Sequence, residues 1–115
     1  MKGLNKVMLI GHVGNAPEVK VLPSQHTVAR FGLATSETFK NKDGIKNTDT
    51  QWHNIVAWNS LAQVIEKYVQ KGSHLHIMGK LQYRQYVDAE NNEHEVTEIV
   101  AEEIILLDKK ESTTN

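Results

Sequence analysis

The 115 residues include no cysteine. Disulfides and thiolate zinc sites are thereby excluded, and an intracellular setting is expected. No apolar run approaches the length needed to cross a membrane, and the opening MKGLNKVML is too short and too soon interrupted for a signal peptide. No membrane partner is expected. Proline occurs twice, at Pro17 and Pro23, and there is no internal repeat or low-complexity tract. Aromatic residues are only 6% of the chain, so where they cluster matters. The length suits one compact domain with a single core.

The net charge of -1 conceals a division. Residues 1–86 carry eleven Lys and Arg against five acids, whereas residues 87–115 carry nine acids against two lysines. A basic body followed by an acidic last quarter points to a polyanion partner on one face; solvated charge without a partner is the plainer alternative.

The hydrophobic pattern alternates through most of the chain. KVMLIGHVG (6–14) reads as a strand whose Gly11 and Gly14 mark a bend at a barrel corner. EVKVL is a short extended piece between the prolines. TVARFGLATSE (27–37) sets Val28, Arg30, Gly32 and Ala34 against Ala29, Phe31, Leu33 and Thr35. The polar stretch 39–49 predicts a long, mobile hairpin loop turning at Asp43-Gly44. QWHNIVAWN follows as a strand. SLAQVIEKYVQKG predicts the single helix, with Leu61, Val64, Ile65, Tyr68 and Val69 on one stripe. Ser60 with Gln63 predicts a capping box, and Gly72 a stop. HLHIMGKLQYRQYV (74–87) and HEVTEIVAEEIILL (94–107) are the last two strands, and DKKESTTN is expected to be disordered. The expected fold is all-β with one helix: a five-stranded OB-fold Greek-key barrel with the helix between strands 3 and 4.

Trp52 and Trp58 are an even number of residues apart, so an extended strand projects both rings to one side. Phe39 stands at the base of the basic hairpin, and Tyr86 follows Arg84 at the end of the fourth strand. Flat rings beside lysines form the physical recipe for holding unpaired bases: every base has a π-face, and lysines track the phosphates. The competing reading buries the tryptophans in the core. Against it, Ile55 and Ala57 occupy the opposite face, and Asn54 shares the tryptophan side. We take the stacking reading.

Of the six histidines, His74 and His76 share one face but lack a third ligand at a recognisable spacing, so no metal and no cofactor is expected. GHVGNAP has neither the lysine nor the following helix of a phosphate loop, and no serine has an evident base. The chain is expected not to be an enzyme.

With these residues in view, the sequence resembles the bacterial single-stranded DNA-binding protein family. NKVMLIGHVG, PEVKVL, ATSETF, TQWHNIVAW, KGSHLHIMGKL and TEIVAEEIILLD match its blocks in order over residues 4–107. The resemblance implies an OB-fold that assembles as a homotetramer and binds single-stranded DNA with little regard to sequence. It implies protection of exposed strands in replication, recombination and repair, in the bacterial cytoplasm on the nucleoid. Carried over by position, it places base stacking on Phe39, Trp52, Trp58 and Tyr86. Phosphate contacts fall on Lys2, Lys6, Lys20, Lys42, Lys71 and Arg84, and a subunit interface on His53. Asn54, Ser60 and Gln85 stand where the family carries basic residues. That loss keeps open a second reading, an OB-fold protein adaptor of the primosomal type with weak DNA binding. The family domain is expected over residues 1–107. Residues 108–115 form a short tail without the family's linker and acidic tip, so DNA binding without tail-mediated recruitment of replication enzymes is the expectation.

Overall fold

The computed structural model describes residues 3–108. Six strands and one helix follow in order: β1 (Val7–Val13), β2 (Glu18–Val21), β3 (Thr27–Lys40), β4 (Lys46–Trp58), α1 (Ser60–Tyr68), β5 (His74–Val87) and β6 (Glu93–Leu106). Five strands close on themselves in the order β1-β5-β6-β4-β3, with β3 returning to β1 through His12–Ala34 and Val13–Leu33. The short β2 adds to the outer edge of β3. All pairings are antiparallel except β4–β6, where Ile55 and Val56 meet Ile99 and Val100 in parallel. This is the OB-fold barrel, and the helix lies between its third and fourth strands once β2 is set apart.

The alternation read in the sequence sorts the residues. Ala29, Phe31 and Leu33 of β3, Ile55 and Ala57 of β4, and Leu75 and Ile77 of β5 are all buried and fill the barrel. Ala62, Ile65 and Val69 from the helix segment close one end of the barrel. Burying the Leu, Ile, Val and Phe side chains contributes on the order of 1.5–3 kcal/mol each. β6 keeps its core contacts only through a bulge. Ile77 pairs with Ile104 and Met78 with Glu103, but Gly79 pairs with Ala101, so Glu102 is an extra residue. The bulge shifts the alternation by one, allowing Ile99 and Ala101 before it and Ile104 after it to face inward.

Two glycines sit where strands approach closely. A β-carbon on Gly11 would lie 2.2 Å from the Ala34 carbonyl oxygen, and one on Gly79 would lie 2.0 Å from that of Val100. These are the closure of β1 onto β3 and the crossing beside the β6 bulge.

Three local expectations are corrected. Residues 39–49 are not a long loop: the β3–β4 ladder runs unbroken to Lys40–Lys46. Only residues 41–45 turn. The Asn41 carboxamide oxygen accepts the Asp43 and Ile45 N–H groups, and Gly44 takes φ 76°. The capping box is also absent. The N-cap is Asn59, which makes no side-chain cap bond; its Oδ1 instead accepts the Thr27 N–H at 3.2 Å. The helix ends at Tyr68, and its inward face is built on Ala62 and Ile65, leaving Val64 and Tyr68 exposed. At the end of the described residues, the Asp108 carboxylate accepts the His74 N–H. The rest of the expected tail lies outside the described residues.

Candidate nucleic-acid interface

The unbroken β3–β4 register assigns the faces. Opposed residues share a side of the sheet, so Trp58–Val28, Val56–Arg30, Asn54–Gly32 and Trp52–Ala34 form rows on the outside of the barrel. The tryptophans therefore do share one outward face. Trp52 is 64% exposed and Trp58 38%. Six residues of strand separate them by about 20 Å, so the two rings are separate surfaces that no single small planar group could touch at once. Between them Val56, though on the outer side, is buried.

Trp52 lies over glycine. A β-carbon on Gly14 would sit 2.2 Å from its Cζ3, and one on Gly32 would be 3.6 Å from its Cε3. Gly14 is held by donating to the Gly32 carbonyl at 2.9 Å. The ring thus rests on bare backbone on one side and faces solvent on the other. Gly14, read from the sequence as a bend, is also the seat of this ring.

Tyr86, at the far end of β5, is 44% exposed. It stacks on His94 with ring centroids 5.1 Å apart, and the Arg84 guanidinium stands 5.7 Å from its ring centre. His94 is anchored by a 2.7 Å contact to Asp88. That half-buried carboxyl is held below its ordinary value by the Asn92 backbone N–H and then by His94. Phe39 is 52% exposed, but strict alternation sends it to the opposite side of the β3–β4 ribbon from Trp52. The structure therefore brings Trp52, Trp58 and Tyr86 to the outer surface and sets Phe39 apart on the projecting arm.

The basic residues divide likewise. Lys20 opposes Val28, which opposes Trp58, forming one cross-strand row. Lys71 lies in the turn whose Gly72 N–H donates to the Val13 carbonyl, next to Gly14 under Trp52. Lys42 is exposed at the hairpin tip, and exposed Lys6 precedes β1. Lys2 lies outside the described residues. Arg84 is ion-paired: its Nε donates to Glu98 Oε1 at 3.1 Å and its Nη2 to Oε2 at 3.3 Å. Arg30 from β3 donates Nη1 to the same Oε2. Glu98 is 4% exposed. Burial alone would raise its carboxyl, but Arg84 and Arg30 together outweigh that and hold it below its ordinary value. The Glu98 hydrogen bond in turn raises Arg84.

The sequence reading missed this trio. Glu98 was one acid among many in the last quarter, and the charge division suggested two faces. The barrel instead lays acidic β6 between β5 and β4, which places a carboxylate inside the basic surface. His53 faces the other way from the tryptophans, half-buried, with Nε2 2.9 Å from the Thr35 hydroxyl. His74 stacks on His12 across the β1–β5 pair, centroids 4.5 Å apart. No helix among the described residues is long and apolar enough to span a membrane.

A closed five-stranded barrel with exposed aromatics on one sheet defines an OB-fold of the oligonucleotide-binding kind. Comparison with known proteins gives the family. The single-strand binding protein family model matches residues 4–107. Single-stranded DNA-binding protein 1 of Chlorobaculum tepidum is 45% identical over 112 residues, covering 96% of this chain and 69% of that protein. The single-stranded DNA-binding protein of Neisseria meningitidis is 38% identical over 104 residues, covering 90% of this chain and 60% of that protein. Among solved structures, the Plasmodium falciparum SSB in complex with ssDNA superposes with a TM-score of 0.83 at 34% identity, covering 94% of this chain and 98% of that one. A deletion mutant of the Thermus aquaticus single-stranded DNA binding protein shares the fold, with a TM-score of 0.78 at 24% identity over 92% of this chain and 51% of that one. The chain belongs to the single-strand binding protein family.

Proposed function

We propose that this protein binds single-stranded DNA on the outer face of β3, β4, β6 and β5, by stacking bases on Trp52, Trp58 and Tyr86 and drawing phosphates to lysines. The observation that carries the reading is the exposed Trp52 ring seated on Gly14. A large flat apolar surface kept in water and backed by glycine is costly unless something covers it, and duplex bases hide the faces that would do so. Lys20, two strands across from Trp58 in the same row, and Lys71, next to Gly14, supply charge near each ring. Lys6 and Lys42 extend that charge, and Arg84 contributes a partly neutralised one; Lys2, outside the described residues, is proposed as a phosphate contact from its sequence position alone. Phe39, on the arm, meets a strand that continues past the barrel. The role is binding and protection of exposed strands in replication, recombination and repair, without catalysis, in the bacterial cytoplasm.

We further infer a homo-oligomer, of the tetramer kind, with His53 at a subunit contact. Met8 and Ile10 support self-association: both stand on the outward side of β1, 58% and 57% exposed.

The test is intrinsic tryptophan fluorescence during titration with a long thymine single strand, with duplex DNA as control and salt as the variable. Trp52 and Trp58 are the only tryptophans. Quenching by single strand alone, weakening with salt, is the expected result. A folded protein whose fluorescence neither strand changes would refute the stacking face.

A further inference from the structure

Between Trp52 and Tyr86 the outer face holds a groove of about 540 Å³ whose lining includes Asn15, Glu18, Arg30, Asn54, Arg84 and Glu98. We propose that this groove is a nucleobase subsite, in which the guanidiniums fixed by Glu98 donate to a base edge bearing carbonyl or ring-nitrogen acceptors. The proposal rests on the single-strand reading of the face given above.

Charge separates a base from a phosphate as the occupant. The two arginines face two carboxylates, Glu98 beneath them and Glu18, which opposes Arg30 in the β2–β3 register. The formal charge of the groove is zero, so a phosphate entering it gains no net attraction and approaches two negative groups. A neutral base edge carries no such penalty.

Hydrogen-bonding capacity points the same way. Both Glu98 oxygens are already engaged by Arg84, and Oε2 also by Arg30. Among the described residues, the donors left over are both Nη1 hydrogens and the second Nη2 hydrogen of Arg84, and the Nε, Nη2 and second Nη1 hydrogens of Arg30, on side chains 40% and 37% exposed. Asn15 Oδ1 accepts the Gly32 N–H at 3.3 Å, and Asn54 donates weakly to the Thr97 carbonyl at 3.4 Å. A guanidinium already held in place loses little freedom on meeting an acceptor, which makes it a selective donor. The location suits a base as well. Asn54 lies two residues from Trp52 on the same side of β4, about 7 Å along the strand. Opposite it Gly32 has no side chain to fill the floor.

The experiment compares a thymine oligonucleotide with one of equal length carrying difluorotoluene, which copies the shape and stacking face of thymine but lacks its strong acceptors. Tryptophan fluorescence reports both titrations. The wild-type protein is expected to favour thymine by roughly fivefold to tenfold, the lower part of the range for one good polar base contact. Arg84→Lys, which keeps the charge but loses the fork, and Arg30→Met are expected to bring that ratio toward one. Thermal melts establish that each variant is folded. A wild-type ratio of one overturns the subsite. So does a ratio that Arg84→Lys leaves intact while Arg84→Met lowers the salt dependence for both strands alike, since that marks a phosphate ligand. Failure of the wild-type protein to bind either strand would instead refute the single-strand reading, and the subsite with it.

Discussion

Gly14 and Trp52 form one unit: a β-carbon on the glycine would sit 2.2 Å from the ring. The obstacle is the far side of an exposed indole, which can swing away. Gly14→Ala is therefore expected to displace the ring and weaken single-strand binding while leaving the unfolding midpoint nearly unchanged. Gly11→Ala is the contrast, because its β-carbon meets the Ala34 carbonyl, which cannot move without opening the barrel. A loss of about 1–3 kcal/mol is expected there, as for other overpacked sites. Urea unfolding of the pair, with a DNA titration, checks both.

Truncating the rings themselves should rank them by exposure. Trp52→Ala is expected to cost about 1–3 kcal/mol in affinity for a thymine oligonucleotide, the usual worth of one stacked base. Trp58→Ala should cost less, since Trp58 is the more covered of the two. Equal affinities in folded Trp52→Ala and wild type would rule out the proposed platform.

Salt dependence should separate the lysines from Arg84. For a single strand, each phosphate contact contributes about 0.7 to the slope of log affinity against log salt. Lys20→Ala and Lys71→Ala are each expected to reduce the slope by about that amount. Arg84→Met should change it less, because Glu98 already balances part of its charge.

Acid should loosen the same face. Glu98 and Asp88 are held below their ordinary values of 4.5 and 3.8 in the folded protein. A depressed carboxyl stabilises the fold above its ordinary value, and the contribution is lost as pH falls through the folded value. Thermal stability is thus expected to decline below about pH 4.5, and Glu98→Gln should flatten that decline. At neutral pH the same substitution is expected to cost roughly 1–3 kcal/mol, less than a fully buried pair because both arginines are partly in water. Melting curves from pH 3 to 7 decide it.

Much of this was legible in the sequence because the barrel depends on alternation. TVARFGLA and HNIVAW state their two faces outright, and the structure keeps them. What could not be read were features set by residues distant in the chain. Hydrophobic spacing in β6 breaks between Ala101 and Ile104, a bulge signal that only pairing with β5 makes meaningful. Polar residues 39–49 resembled a loop because a ribbon exposed on both sides needs no apolar face. Asn59 was passed over as the cap because its side chain serves Thr27, more than thirty positions away. Arg30 and Glu98, 68 positions apart, gave no local sign of sharing a contact.

The position of β6 also orders events during synthesis. Among the described residues, the last strand made is the one that lies between β4 and β5 and joins β4 in parallel. A chain still emerging from the ribosome can form the β3–β4 ribbon and the helix, but the barrel cannot close, because one of its staves has yet to arrive. Until then Arg30 and Arg84 have no carboxylate between them. An unfinished chain thus carries a more positive and less ordered version of the surface that holds the tryptophans than the completed barrel does.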